Sequence, residues 1–272
     1  MAEVLVLVEH AEGALKKVSA ELITAARALG EPAAVVVGVP GTAAPLVDGL
    51  KAAGAAKIYV AESDLVDKYL ITPAVDVLAG LAESSAPAGV LIAATADGKE
   101  IAGRLAARIG SGLLVDVVDV REGGVGVHSI FGGAFTVEAQ ANGDTPVITV
   151  RAGAVEAEPA AGAGEQVSVE VPAAAENAAR ITAREPAVAG DRPELTEATI
   201  VVAGGRGVGS AENFSVVEAL ADSLGAAVGA VVAGVDCGTR GPDRGAQRVG
   251  QRLDHAEVLR AADTTATGHH NG

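Results

Sequence analysis

The sequence contains little cysteine and few aromatic residues. Its 272 residues include one Cys, three Phe, two Tyr and no Trp, whereas hydrophobic residues make up 49% of the chain. The single cysteine, Cys237, excludes an intramolecular disulfide framework and indicates a reducing compartment, so we expect a cytoplasmic protein. The core must be built from Val, Leu and Ala, which suits packed helices and parallel strands.

Basic residues are also scarce. The chain has 20 Lys and Arg against 35 Asp and Glu, which gives a formal net charge of −15. Nucleic acids and anionic membranes bind basic patches, so neither is expected as a partner. The apolar run at residues 4–8 is too short for a signal peptide or a membrane span. We therefore predict a buried first strand and no direct membrane insertion.

Short apolar runs alternate with helical periods as far as residue 120. This alternation is typical of βαβ units and predicts an α/β fold with a Rossmann-like, doubly wound parallel sheet. The predicted strands cover residues 4–8, 33–39, 57–61, 89–93 and 113–120, and the predicted helices cover residues 15–29, 43–53, 73–84 and 98–109.

The pattern changes after residue 120, where no helical period is found. Edge or antiparallel strands are predicted at residues 125–129, 135–139 and 146–150, and one more strand at 167–171. Residues 153–166 are rich in Ala, Gly, Pro and Glu and predict a loop or a flexible connection. A linker containing Pro and Gly covers residues 184–192, so we place a domain boundary near residue 190, with an N-terminal domain at 1–190 and a second domain at 191–272.

The second domain opens with a strand, a glycine-rich turn and a helix. Residues 198–203 are nearly all apolar, residues 204–209 read GGRGVG, and Ser210 is a suitable N-cap for a helix with Glu212 in its first turn. A strand that leads through such a turn to a helix N-terminus is suited to bind a dinucleotide pyrophosphate. The glycines match neither G-x-G-x-x-G nor the P-loop, so a tight turn without a nucleotide remains an equal alternative.

The amino-acid sequence around this turn indicates a particular family, which the glycine spacing alone does not. Residues 193–214, PELTEATIVVAGGRGVGSAENF, closely resemble the start of the FAD-binding domain of the electron transfer flavoprotein alpha subunit. Residues 94–120 are similar to a segment of the same family's N-terminal domain. The resemblance covers about residues 1–230.

The resemblance implies a function and partners. It implies an electron carrier rather than an enzyme, with an N-terminal domain that forms a heterodimer with a beta subunit. FAD would accept electrons from acyl-CoA and other flavin dehydrogenases and deliver them to a membrane quinone reductase. On the matching turn, we expect Gly205, Arg206 and Gly207 to contact the cofactor, with Arg206 as the residue to test.

Other polar residues receive structural interpretations. His10 and His128 lack nearby partners in sequence and are interpreted as turn or surface residues, and the pair Asp97-Gly98 as the start of a helix. His269 and His270 belong to a polar chain end. Four scattered acids are interpreted as a solvated surface rather than a metal site: Glu62, Asp64, Asp67 and Asp76.

The resemblance weakens after residue 229. Val231-Val232 stands where the family has Ser-Arg, and Val249-Gly250-Gln251 only faintly echoes a family block that elsewhere contacts FAD. We expect residues 231–272 to be poorly ordered, the FAD-binding domain to be incomplete, and most FAD affinity to be lost. Our hypothesis for the cause is a changed reading frame, which resequencing of the locus would test.

Two alternatives to the flavoprotein interpretation remain. The chain could be a flavin-free interaction module that docks a beta subunit through residues 1–190. A nucleotide-binding domain of the universal-stress type fits the α/β pattern but not the amino-acid sequence of residues 193–207.

Overall fold

The computed structural model describes residues 2–185 and 191–230. The chain divides into two compact units, Met1–Pro186 and Ala187–Gly272, which are described separately below. The predictions for residues 231–272, including Cys237, His269 and His270, lie outside the described residues.

Twelve strands and four α-helices form the described part of the first unit. The strands are β1 (Glu3–Leu7), β2 (His10–Ala11), β3 (Ala14–Leu15), β4 (Glu31–Gly38), β5 (Lys57–Glu62), β6 (Gly89–Ala93), β7 (Leu113–Val117), β8 (Asp119–Arg121), β9 (Val125–Ile130), β10 (Phe135–Gln140), β11 (Val147–Val150) and β12 (Glu165–Ser168). The helices are α1 (Lys17–Ala26), α2 (Val47–Ala53), α3 (Thr72–Ser85) and α4 (Ala96–Ile109), and short 3-10 turns cover Ala44–Leu46, Glu122–Gly124 and Phe131–Gly133.

A seven-stranded parallel sheet organises this unit. Its strand order is β12-β5-β4-β1-β6-β11-β7, and every neighbouring pair is parallel. Alternate residues of β1 enter two separate cores. Val4 and Val6 pack on the side of α1 and α2, whereas Leu5 and Leu7 pack on the side of α3 and α4. Burial on both faces explains why β1 reads as a continuous apolar run, and the predicted doubly wound sheet is confirmed.

The predicted strand at residues 113–120 divides into two strands in different sheets. β7 belongs to the parallel sheet, whereas β8 pairs with β9 in the antiparallel sheet β10-β9-β8. Near the end of β7, where its register against β11 shifts, Asp116 has a φ of 62°, in the left-handed region. Its backbone N–H donates to Thr149 Oγ1 at 2.8 Å, and its carboxylate is paired with Arg151, so local bonds hold this rare conformation.

The prediction of an edge or antiparallel strand at residues 146–150 is wrong in its placement. β11 lies inside the parallel sheet, between β6 and β7, and all four of its residues are buried. Its four residues, three of them apolar and the fourth Thr149, suit a strand that is covered on both faces. By contrast, β9 and β10 do form the predicted antiparallel pair.

Residues 153–164 form a loop that is fixed to the helices along its length. The N–H of Gly153 donates to Glu21 Oε2 at 2.7 Å, and the N–H of Glu158 donates to Thr24 Oγ1 at 3.0 Å. Further along, backbone N–H groups of the loop donate to carbonyls at the end of α2: Ala160 to Ala52 and Gly162 to Lys51. We call this segment the strap. It leads to β12 at the far edge of the sheet.

The second unit contains two parallel strands and one helix among its described residues. These are β13 (Val201–Gly204), α5 (Phe214–Leu224) and β14 (Ala227–Ala230), with Val201 opposite Ala227. Val217 and Ala221 of α5 pack with Val202 of β13. The predicted strand at residues 198–203 is thus found, displaced toward the C-terminus. No helix among the described residues has the length and apolar character needed to cross a membrane.

Candidate functional site

The glycine-rich turn lies at the carboxyl end of β13, where parallel α/β sheets bind ligands. A 3-10 turn covers Arg206–Val208, and the N–H of Val208 donates to the carbonyl of Gly205 at 3.1 Å. Gly209 has φ of 81°, a conformation that glycine adopts without steric cost. The turn is therefore a hydrogen-bonded structure rather than an open loop.

Two glycines of this turn have opposite surroundings. A Cβ atom added at Gly204 would lie 2.5 Å from Cε2 of Phe214, whereas one added at Gly207 would meet no heavy atom within 4 Å. Gly204 is therefore required by the close packing of α5 on β13. Gly207 instead leaves open space in front of the turn, where a ligand could approach the backbone.

The predicted start of the helix at Ser210 is wrong. α5 begins at Phe214, its N-cap is Asn213, and no acidic residue lies in its first turn. The amide Nδ2 of Asn213 donates to the carbonyl of Val208 at 3.1 Å, so this polar residue closes the loop instead of capping the helix through its side chain. Glu212 consequently precedes the helix.

Glu212 carries a fixed negative charge beside the turn. Its own backbone N–H and then the Ser210 hydroxyl donate to the carboxylate, and these bonds hold the pKa of Glu212 below its usual range. The Ser210 hydroxyl therefore donates to the Glu212 carboxylate and does not cap the helix.

Comparison with known proteins gives the same order of domains. The family model described as the electron transfer flavoprotein domain matches residues 4–177, and the model described as the electron transfer flavoprotein FAD-binding domain matches residues 194–255. The chain belongs to the electron transfer flavoprotein alpha subunit family. The second model extends past residue 230, where the resemblance was expected to end, and includes the faint echo at residues 249–251.

Individual alpha subunits of the family align over most of the chain. The alpha subunit from Mycobacterium leprae is 86% identical over 225 residues, which are 83% of this chain and 71% of the relative. The alpha subunit from Syntrophomonas wolfei is 32% identical over 228 residues, 83% of this chain and 72% of the relative. That from Paracoccus denitrificans is 36% identical over 224 residues, 82% of this chain and 71% of the relative.

The electron transfer flavoprotein family implies FAD, and the described residues fit one part of this cofactor. The turn offers an exposed backbone at Gly205 and Gly207 at the carboxyl end of a parallel strand, which suits a phosphate. Arg206 stands between them, at the first position of the 3-10 turn. Among the described residues of the second unit, this turn is the region that fits a phosphate group of the cofactor.

Two histidines and the Asp97-Gly98 pair, which were also considered from the sequence, lie in ordinary secondary structure. His10 lies in the small β2–β3 hairpin, with Nε2 at 3.4 Å from the carbonyl of Val37, and His128 lies in β9 opposite Val137. Gly98 donates its N–H to Thr95 Oγ1 at the N-cap of α4, so Asp97-Gly98 is a helix start as predicted.

The four scattered acids do not form a metal site. Glu62 accepts hydrogen bonds from the N–H groups of Gly41 and Ala43, and thus anchors the loop after β4. Asp76 is paired with Arg108, and Asp67 with Arg184. Within the described ranges, no group of three or more His, Cys, Asp or Glu side chains could hold a metal ion.

Two features of interest were missed in the sequence. One is the contact between Gly204 and Phe214. The other is an exposed aromatic pair, Phe131 and Phe135, whose rings are 5.9 Å apart in an edge-on arrangement and whose side chains are 80% and 60% exposed. The signal for this pair was present in the segment FGGAF, where two of the three phenylalanines flank a glycine turn.

Proposed function

We propose that this chain works as the alpha subunit of a heterodimeric electron transfer flavoprotein. The two family models that follow one another along the chain, one on each unit, are the observation that carries the proposal. The protein would take electrons from acyl-CoA and other flavin dehydrogenases and pass them to a membrane quinone reductase, in the cytoplasm and as part of fatty acid oxidation. It would be a carrier and not a catalyst.

FAD, when bound, supplies the redox chemistry, and the protein binds and orients it. In this proposal Gly205, Arg206 and Gly207 hold the diphosphate. Gly205 and Gly207 present backbone without side chains, and Arg206 adds a positive charge that favours the anionic group. The closed hydrogen bonding of the turn keeps these residues in place before the cofactor arrives, which lowers the entropic cost of binding.

The affinity of this chain for FAD is proposed to be low. Residues 231–272 lack most of the sequence blocks that the family resemblance implies for contacts to the rest of the cofactor. A cofactor of this length needs contacts along its whole extent. The flavin site would therefore be partly filled at ordinary FAD concentrations.

The beta subunit is the proposed partner of the first unit. Support comes from the antiparallel sheet, where Phe131, Phe135 and Val137 are exposed and β10 is exposed at five of its six positions. A cluster of large apolar side chains on the surface of a folded domain is typical of an interaction site. β10 is also an edge strand, with one row of backbone groups free to pair.

Co-expression with a beta subunit tests the proposal. A stable heterodimer that binds added FAD and develops a flavin spectrum supports the carrier function. A heterodimer that stays colourless with excess FAD supports the alternative, a flavin-free module that docks the beta subunit. If no heterodimer forms, both interpretations are wrong.

A further inference from the structure

The last residue of β13 and the first residue of α5 are in unusually close contact. A Cβ atom at Gly204 would lie 2.5 Å from Cε2 and 3.1 Å from Cδ2 of Phe214, and 3.1 Å from Cγ2 of Val217. Phe214 also packs against the small core of this unit, together with Val202 and Ala221. The ring is partly buried against that core. An alanine at residue 204 therefore requires the Phe214 ring or helix α5 to shift away from β13.

Residues 205–213 connect these two positions as one hydrogen-bonded loop. The carbonyl of Val208 accepts the N–H of Ser210 at 3.0 Å and the amide Nδ2 of Asn213 at 3.1 Å. At the end of the loop, the N–H of Phe214 donates to the carbonyl of Ala211 at 3.1 Å. These hydrogen bonds connect the loop to the first residue of α5. A shift of α5 therefore deforms the loop.

We infer that Gly204 and Phe214 form a positioning pair for the FAD diphosphate. This inference rests on the proposed FAD site. The pair sets the separation between the end of β13 and the start of α5, and thereby the arrangement of the backbone from Gly205 to Gly207. Neither residue needs to touch the cofactor. In dinucleotide-binding domains a glycine is needed for the same reason, namely close packing of the helix on the strand.

The test compares three variants of the full chain, each co-expressed with the beta subunit. Gly204→Ala introduces the clash. Gly229→Ala is the matched control, because it adds the same methyl group to the same two-stranded sheet with its nearest neighbours at ordinary distances, 3.6 Å to Cβ of Ala203 and 3.8 Å to Cδ2 of Leu195. The double variant Gly204→Ala with Phe214→Leu removes the ring that causes the clash.

FAD titration of the purified heterodimers is the first measurement. The dissociation constant should rise by about tenfold or more in Gly204→Ala, as a displacement of the backbone by a few tenths of an ångström disrupts several contacts together. It should stay within about twofold of wild type in Gly229→Ala, and recover most of the loss in the double variant. An unchanged constant in Gly204→Ala, or no recovery in the double variant, would overturn the inference.

Amide hydrogen exchange in flavin-free heterodimers is the second measurement and separates this inference from the proposed function. The N–H groups of Val208 and Ser210 should exchange faster in Gly204→Ala than in Gly229→Ala, and return toward wild type in the double variant. If this exchange pattern is found while wild type binds no FAD, Gly204 and Phe214 still fix the loop, but the proposed flavin site is wrong and the role of the pair toward the diphosphate is overturned with it. Equal exchange in all variants refutes the pair whatever the flavin result.

Discussion

At the scale of single residues, Asp116 shows how one side chain joins several elements. Its carboxylate accepts from Arg151 Nη2 at 2.8 Å and lies 4.0 Å from Lys99 Nζ, so it joins β7 to α4 and to the residue that follows β11. Burial alone would raise the pKa of Asp116, but the hydrogen bond and charge of Arg151, with smaller contributions from Lys99 and His128, outweigh burial and lower it. The ionised form is therefore favoured in the folded protein.

This lowered pKa predicts a loss of stability in acid. Because the folded-state pKa lies below the ordinary value of 3.8, the contribution of Asp116 is present above that value and is lost as the pH falls through the folded-state pKa. Asp116→Asn removes the titrating group and tolerates the left-handed backbone. We expect the variant to be less stable than wild type at neutral pH by about 1 kcal/mol or more, with a difference that shrinks below pH of about 4.

Urea unfolding of both proteins across this pH range measures the effect. A difference that stays constant from neutral to acid pH would contradict the assignment, since it would mean that the charge of Asp116 is not involved.

At the scale of elements, the strap shows how a segment without periodicity becomes ordered. A Cβ atom at Gly162 would lie 2.1 Å from the carbonyl oxygen of Ala55, so the backbone of the strap lies directly on the chain that leads from α2 to β5. Its N–H groups donate to two carbonyls at the end of α2, those of Lys51 and Ala52, and so add hydrogen bonds where the helix ends.

Substitution of Gly162 should therefore detach the strap. In Gly162→Ala we expect faster amide exchange across residues 153–168 and a destabilisation of about 1–3 kcal/mol, because several backbone bonds are lost together. Gly80→Ala is the matched control, since a Cβ there meets no heavy atom within 4 Å and the residue lies within α3. The control should be neutral or slightly stabilising. Exchange that is equal in the two variants would contradict the role of the strap.

Elements that depend on local pattern were predictable, and those that depend on distant contacts were not. The strand predicted at residues 89–93 is found with the same bounds, because its apolar run is a local signal. The helix α4 ends at Ile109 as predicted, where its apolar period stops and a glycine follows. The placement of β11 and the fixed strap depend on backbone bonds to residues far away in sequence, which leave no period. The start of α5 was misplaced because Ser210 and Asn213 are equally good caps by composition, and a tertiary contact of Phe214 decides between them.

At the scale of the whole molecule, the exposed aromatic pair predicts where the beta subunit binds. The double variant Phe131→Asn with Phe135→Thr removes both rings, and its new residues suit the positive φ of residue 131 and the strand at residue 135. We expect the affinity for the beta subunit to fall by at least about tenfold, as for aromatic side chains at the centre of an interface.

A matched control and a stability check accompany this binding measurement. Val216→Thr removes an apolar side chain that is 69% exposed on α5, outside the proposed surface, and should leave the affinity unchanged. Thermal unfolding should be nearly the same in all three proteins. Full affinity of the double variant would show that the beta subunit binds elsewhere.

We propose a chain that pairs with a beta subunit as the alpha subunit of the heterodimer but binds FAD weakly. The most direct test is the absorbance spectrum of the heterodimer, purified without added flavin and compared with its subunit ratio. We predict equal amounts of the two subunits and flavin absorbance far below one FAD per heterodimer, which rises on titration with FAD. A heterodimer that is purified with one FAD bound would show instead that this chain retains a complete flavin site.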